Sequence, residues 1–247
     1  MIVTYLVIEK TMNIGSNDGG IMAKRNVFIV DISEKFLKKV YIEFKWFPGF
    51  AISQKQKSID SLHENFIEKY KDKKILEISS KSRDTLGIKL SAFNLMINTP
   101  KGKEYSVECA FQSSKVFETG GPYKDILYMT SREAKKDKRL RESGKLISFK
   151  FYNVQWELEP KTLFYDWLYI NALYIKKDLA NEVLKFDAFT DIEFNHLKSI
   201  NCQARSAALF VSLSRQGLLE KAIVSQLNYK NIILNKYTDN KQMDFLE

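Results

Sequence analysis

Hydrophobic positions recur with a helical period of three to four residues in some stretches and alternate with polar ones in others, so the chain predicts helices interleaved with short strands. Val27 to Val30 and Val40 to Trp46 are rich in β-branched and aromatic residues and read as strands, the second closed by the turn Trp46-Phe-Pro-Gly-Phe. Ile59, Leu62, Phe66 and Ile67 mark the apolar face of a helix from Ser53 to about Tyr70, with Lys55 and Lys57 projecting from the loop at its start. Ile75 to Ser79 reads as a short strand, and Leu86 to Ile97 as a strand-rich segment kinked at Ser91-Ala-Phe-Asn. Farther on, Lys124 to Arg141 is a charged helical region, Leu146 to Phe151 a strand, Pro160 to Tyr174 a core helix and Asp178 to Phe186 a shorter one. Ala188 to Asn195 alternates as a strand, which sets Asp191 and Glu193 on one side. Ser199 or Asn201 is expected to cap a last core helix, in which Ala204, Ala207 and Ala208 allow close packing before Gly217 ends the apolar run.

One stretch breaks the ordinary amphipathic pattern. Treated as a helix from Ser106 to Phe117, it carries Glu108, Gln112 and Lys115 within an arc of about 60° at roughly 100° per residue. Apolar or small residues occupy the rest of the wheel. Burying a carboxylate, an amide and an amine costs several kcal/mol, roughly, unless they are paired or line a cavity. The stripe is therefore either a satisfied internal network or the wall of a pocket, and helical geometry does not choose between them. The turn from Ser79 to Asp84, with Lys81 at its centre, is dense in hydroxyls and bases and could present donors to a phosphate as readily as it could be a plain loop.

The chain has 247 residues, 45% of them hydrophobic and 13% aromatic, enough for a sizeable core. It shows no internal repeat, transmembrane span or long low-complexity linker, so one compact domain is the simplest organisation. A formal charge of +9 favours an acidic partner, nucleic acid or a phosphorylated ligand. Lys135, Lys136, Lys138, Arg139 and Arg141 form a basic cluster that is either a solvated face or a DNA-backbone contact. Cys109 and Cys202 give no disulfide framework or zinc spacing, and a reducing, cytoplasmic setting is expected. His63 and His196 cannot supply a His-rich metal centre or a Ser-His-Asp triad; no cofactor or metal is expected, with a carboxylate-bound Mg²⁺ left open. The apolar start lacks a basic lead and a cleavage site, and Gly15 to Gly20 reads as a linker. Residues 1–21 are thus expected to be an extension, residues 22–235 the domain and residues 236–247 a polar tail.

In order, these segments resemble the NADAR family, the YbiA-like N-glycosidases. The family's Ser-Asn-Phe segment is matched by Ser91-Ala-Phe-Asn, and its V-E-H-x-x-Q-x-x-K helix by Val107-Glu-Cys-Ala-Phe-Gln-Ser-Ser-Lys. Its Trp followed by a helix is matched by Trp156 and the segment from Pro160 to Tyr174. Its L-V-E-like strand and helix-opening Asn are matched by Asp191-Ile-Glu193 and Asn201-Cys-Gln-Ala. Cys109 stands where the family has His, Ala92 where it has Asn, and the Trp-Gly and glycine-rich loop before the helix-opening Asn is missing. Trp46-Phe-Pro-Gly, Ser53-Gln-Lys-Gln-Lys-Ser-Ile, Phe164-Tyr-Asp-Trp-Leu-Tyr and Ser199-Ile-Asn-Cys-Gln-Ala resemble the branch that accompanies DarT-type toxins.

The resemblance implies an α+β fold, mainly helical, with a small and mostly antiparallel sheet. It also implies an antitoxin that removes ADP-ribose from guanine bases in DNA. The implied catalytic residues are Glu108 and Lys115, the first as a carboxylate beside the anomeric carbon, the second as a Schiff-base amine, a phosphate ligand or a counter-charge to Glu108. The implied substrate-binding residues are Lys81, Ser91, Phe93, Asn94, Gln112, Trp156, Asp191, Glu193, Asn201 and Arg205. Asn201 and Arg205 would meet a pyrophosphate at a helix start. The implied partners are ADP-ribosylated DNA and a DarT-type toxin, with no membrane. Rival readings are an N-glycosidase of a ribosylated small-molecule phosphate, a non-catalytic ADP-ribose or DNA-binding module, and a DarT-like transferase. Deleting residues 1–21 is expected to leave the melting temperature and the activity unchanged; a clear drop in either would make the segment part of the fold.

Overall fold

The computed structural model describes residues 21–33, 35–99, 102–194 and 201–234. The expected N-terminal extension up to residue 20, the Ser199 cap and the C-terminal tail lie outside the described residues. The chain opens with a hairpin of β1 (Ile21–Val30) and β2 (Leu37–Trp46), followed by α1 (Ile52–Lys69), β3 (Ile75–Glu77) and α2 (Thr85–Lys89). Next come β4 (Met96–Asn98), β5 (Glu104–Ser106), α3 (Val107–Ser113), β6 (Lys115–Phe117), α4 (Ser131–Lys136) and α5 (Arg139–Glu142). The chain then forms β7 (Leu146–Phe151), β8 (Val154–Trp156), α6 (Leu163–Ile175), α7 (Lys177–Val183) and β9 (Ala188–Thr190). Helices α8 (Gln203–Arg215), α9 (Leu219–Ile223) and α10 (Gln226–Ile233) complete it.

The result is the expected α+β fold, but its strands are shared among small sheets: β2-β1-β9-β3, the pair β4-β5, and β6-β7-β8. Most pairings are antiparallel, and β3 with β9 is parallel. β1 sits at the centre of the packing because its two faces are both buried at its C-terminal end. Val27 and Ile29 face one way, with Ile42, Phe44 and Trp46 of β2, onto Ile59, Leu62 and Phe66 of α1. Phe28 faces the other way, into the larger core built on α3, α6 and α8. Helix α8 is apolar nearly all round, as a helix inside a core must be. It stops at a Schellman turn: Gly217, at φ +66°, lets Leu218 N donate to Leu213 O (2.9 Å) and Gly217 N to Ser214 O (3.0 Å).

Several local expectations are corrected. Leu86 to Lys89 is helical, since Asp84 caps α2 by accepting from Leu86 N at 2.8 Å. Gly87 lets that helix lie on β3, where a Cβ would stand 2.0 Å from Glu77 O. Lys55 and Lys57 belong to α1 and not to a loop. The charged region from Lys124 to Arg141 is broken into a 3₁₀ turn and two short helices, α4 opened by a Thr130–Glu133 capping box. The strand from Ala188 ends at Thr190. Asn201 does not cap α8; Cys202 holds the N-cap position without a side-chain bond.

No helix among the described residues is long and apolar enough to cross a membrane. Phe66 is fully buried and stacks on Tyr70 at 4.9 Å between ring centroids. Phe66→Ala is expected to cost about 3–5 kcal/mol, read as a lower urea midpoint at constant m-value.

Candidate active site

Ser106 opens α3 by accepting from Cys109 N at 3.1 Å, and every residue of the helix is buried. Glu108 and Gln112 are only 6% and 7% exposed, and Gln112 Nε2 donates to Glu108 Oε1 at 2.9 Å. Gln112 Oε1 is buried and accepts no hydrogen bond among the described residues, so the amide has an acceptor to spare for a ligand. The helix ends sooner than its polar stripe suggested. Ser113 and Ser114 turn their hydroxyls back onto Ala110 O, at 3.0 and 2.6 Å, and the chain passes into β6. Lys115 is thus a strand residue, paired with Phe149 of β7, and its ammonium lies 5.0 Å from the centre of the Phe111 ring. Burial lowers the Lys115 pKa from the ordinary lysine value; Glu108 opposes this and Lys135 adds to it.

These side chains open onto a cavity of about 540 Å³, a size suited to a nucleotide-like ligand. Phe111, Phe149 and Tyr165 form its aromatic wall, Phe111 meeting Phe149 at 5.3 Å and Tyr165 edge-on at 5.1 Å. Of the residues singled out in the sequence, Ser91, Phe93, Glu108, Gln112, Lys115, Asp191, Glu193 and Asn201 all line it. Four others are not brought to its wall. Lys81 stands beside lining residues Ser79 and Ser80, its backbone N–H donating to Ser79 Oγ at 3.1 Å. Asn94 is exposed and donates to Ile88 O at 2.9 Å. Trp156 is buried against Phe164 and Trp167. Arg205 is held by Asp166, whose other oxygen accepts from Ser206 Oγ at 2.6 Å, so its guanidinium is committed inside the domain.

Other lining residues carried no sequence signal. Tyr165 lies on α6, which is buried on so many sides that no polar stripe marks it. Lys135, 5.3 Å from the centre of the Phe93 ring, reads in sequence as one more base of a charged run. Gln203 joins two distant walls: its Oε1 accepts from Ala92 N at 2.6 Å and its Nε2 donates to Ile78 O at 2.7 Å.

Behind Asp191 lies Glu77, buried in β3. Glu77 accepts from Thr190 Oγ1 at 2.6 Å and from Ile192 N at 2.8 Å, which is why the chain curls after β9 and Asp191 and Glu193 do not continue as a strand. Burial raises both carboxyls, Asp191 well above its usual range, with the Glu77 charge as the second cause. Asp191 accepts from Glu193 N at 3.1 Å and from Gln203, whereas Glu77 takes shorter donors on both oxygens and a further one from Ser79, which favours the charge on Glu77 and the proton on Asp191. His63 Nε2 lies 2.8 Å from Thr190 Oγ1. The Thr190 proton goes to Glu77, so His63 Nε2 is the donor; burial lowers its pKa to about 4 and the ring is neutral at pH 7. Glu193, at the outer edge, is 3.6 Å from Lys55 of α1. Among the described residues no group of three or more His, Cys, Asp or Glu side chains is placed to hold a metal ion.

Fold and site together define an α+β domain with a nucleotide-sized cavity, floored by aromatic rings and edged by a buried carboxylate and an amine of reduced basicity. The chain belongs to the DarT1-associated NADAR antitoxin family, whose model matches residues 23–243. No match is found among curated proteins.

A carboxyl whose pKa is raised on folding adds stability below its unfolded value, and that stability is lost as pH rises through the folded pKa. Asp191→Asn removes the titration. Relative to the unaltered protein the variant is expected to gain stability from pH 4 upward, read by urea unfolding across pH; a constant difference would place a normal carboxyl at Asp191.

Proposed function

We propose that this protein hydrolyses the N-glycosidic bond between ADP-ribose and a guanine base in DNA, and so reverses modification by a DarT-type toxin in the cytoplasm. One observation carries this reading: Glu108 from a helix and Lys115 from a strand converge on one aromatic-walled cavity. Membership of an antitoxin family associated with DarT1 supports the pairing with the toxin.

Cleavage passes through an oxocarbenium-like state at the anomeric carbon, which a buried carboxylate stabilises. Glu108 fills that role, steadied by the Gln112 amide. Phe111, Phe149 and Tyr165 offer flat surfaces to the base, and Asp191 holds a proton that the leaving guanine nitrogen can accept as the C–N bond breaks. Lys115 sets the route. Its lowered pKa favours a fraction of neutral amine, which can form a C–N bond to the anomeric carbon as guanine leaves. The ring oxygen then departs to give an imine, and water returns the lysine and releases ADP-ribose. In the alternative route water attacks directly, with Glu108 as its base, and Lys115 holds a phosphate.

The test is release of ADP-ribose from guanine-modified DNA. Glu108→Gln is expected to slow it by at least about 10² with an unchanged melting temperature; full turnover in the folded variant would remove Glu108 from the chemistry. Lys115→Arg separates the routes. Loss of turnover together with borohydride trapping of a lysine adduct in the unaltered protein supports the imine, whereas partial activity and no adduct support direct hydrolysis. Turnover of ribosylated small-molecule phosphates but not of modified DNA would overturn the assignment of substrate.

A further inference from the structure

Beside the cavity, β2 ends in the turn Trp46-Phe-Pro-Gly-Phe, and this turn alternates aromatic rings with cations. Lys55 Nζ lies 4.3 Å and the Arg25 guanidinium 5.3 Å from the centre of the Trp46 ring. Lys45 Nζ and Lys57 Nζ lie 5.6 and 5.9 Å from the centre of the Phe47 ring. Next in the chain after Gly49, at φ +131°, Phe50 stands fully exposed. The turn is not loosely hung: Phe47 N donates to Ser58 Oγ at 2.9 Å and Lys45 N to Ser61 Oγ at 3.0 Å, both on α1. The pinned turn therefore holds the Phe50 ring in water, with Ile52 exposed two residues on, as a flat apolar surface beside the cations.

The same cluster is continuous with the cavity. Lys55 reaches Glu193 on the cavity wall, and Arg25 stands close enough to Asp191, on the same wall, for the two to interact. Nearby carboxylates are engaged, Glu43 with Lys24 and Asp60 with Arg83, so the patch keeps a positive balance. Cations interleaved with a bare ring suit a chain of phosphates carrying flat bases. A base inside the cavity must leave its stack, which the neighbouring bases of a single strand allow at least cost. The α4–α5 ridge, by contrast, mixes its lysines with Glu133, Asp137 and Glu142, and Arg139 is taken by Asp125 and Asp137.

We propose that the Trp46–Phe50 turn is a binding surface for single-stranded DNA flanking the base in the cavity, with Phe50 stacking on a neighbouring base and Lys57 facing the backbone. This rests on the proposed DNA substrate, but the binding test does not require turnover. Fluorescence anisotropy with an unmodified, labelled single-stranded oligonucleotide is expected to show about tenfold weaker binding for Phe50→Ala. Lys57→Ala should reduce the salt slope by about 0.7, and a duplex of the same sequence should bind more weakly than the single strand. With guanine-modified substrates, Phe50→Ala should lower the ratio of kcat/KM for oligonucleotide over nucleoside about tenfold. Unchanged oligonucleotide binding in Phe50→Ala overturns the proposal. So does loss of binding only in Lys136→Ala/Lys138→Ala, or loss of toxin association in Phe50→Ala with oligonucleotide binding intact. If no guanine adduct is hydrolysed at all, the enzymatic reading fails while the anisotropy result stands.

Discussion

A carboxylate in a protein interior is tolerated only when donors replace the water it has lost, and Glu77 shows how one such group can organise a site. Its two oxygens take the Thr190 hydroxyl and the Ile192 backbone N–H, so the chain leaving β9 must wrap around it. That curl carries Asp191 and Glu193 to the cavity wall. The backbone oxygen of the same residue is the surface on which Gly87 packs, which fixes α2 and the Ser91–Phe93 turn that follows. Gln203 then ties Ile78, the residue just after β3, to Ala92 and so brings the start of α8 against both. Four segments far apart in sequence therefore meet through one satisfied acid and one amide.

That organisation explains what was legible in the sequence. Composition and periodicity report on one element at a time, and they located β1, β2, α1, α6 and β7 from residues within each element's own length. Periodicity also drew attention to Glu108, Gln112 and Lys115 without choosing between a buried network and a pocket wall, and the ordered family motifs turned that choice toward a pocket. The three do converge, but Lys115 arrives by way of a Ser113–Ser114 turn and a strand, not by helical spacing. Ordered family motifs were the stronger guide to the Asp191 and Asn201 segments. What stayed hidden was long-range by nature. Glu77 reads as an ordinary charged residue closing a short strand, Tyr165 as one more buried aromatic, and Arg205 as a free cation until Asp166 is seen to hold it.

The division of labour between elements has a physical logic. Helix α3 is buried on every face, so Glu108 and Gln112 have little freedom and are held in fixed orientation at the cavity. Lys115 comes from a strand, where its long side chain crosses over the Phe111 ring and loses hydration on the way. Two opposing influences then act on the same amine. Burial and the Lys135 charge reduce its basicity, while Glu108 restores part of it. The basicity of this amine is therefore set jointly by desolvation, a counter-charge and a second lysine, and not by burial alone.

The carboxyl couple of Glu77 and Asp191 completes this balance. Two acids in one low-dielectric region do not both ionise, and the one with more donors keeps the charge. Glu77 has that advantage, because it sits behind the wall where backbone and hydroxyl donors converge, and Asp191 faces the space where a ligand would lie. The cavity is thus lined both by a carboxyl that favours its proton, Asp191, and by a carboxylate and an amine, Glu108 and Lys115. A bond that breaks with charge developing on a ring carbon and on a departing nitrogen calls for both polarities at once. The buried acid that shapes the loop is therefore also what favours the proton on Asp191, so the course of the chain and the charge balance of this wall follow from the same desolvated group.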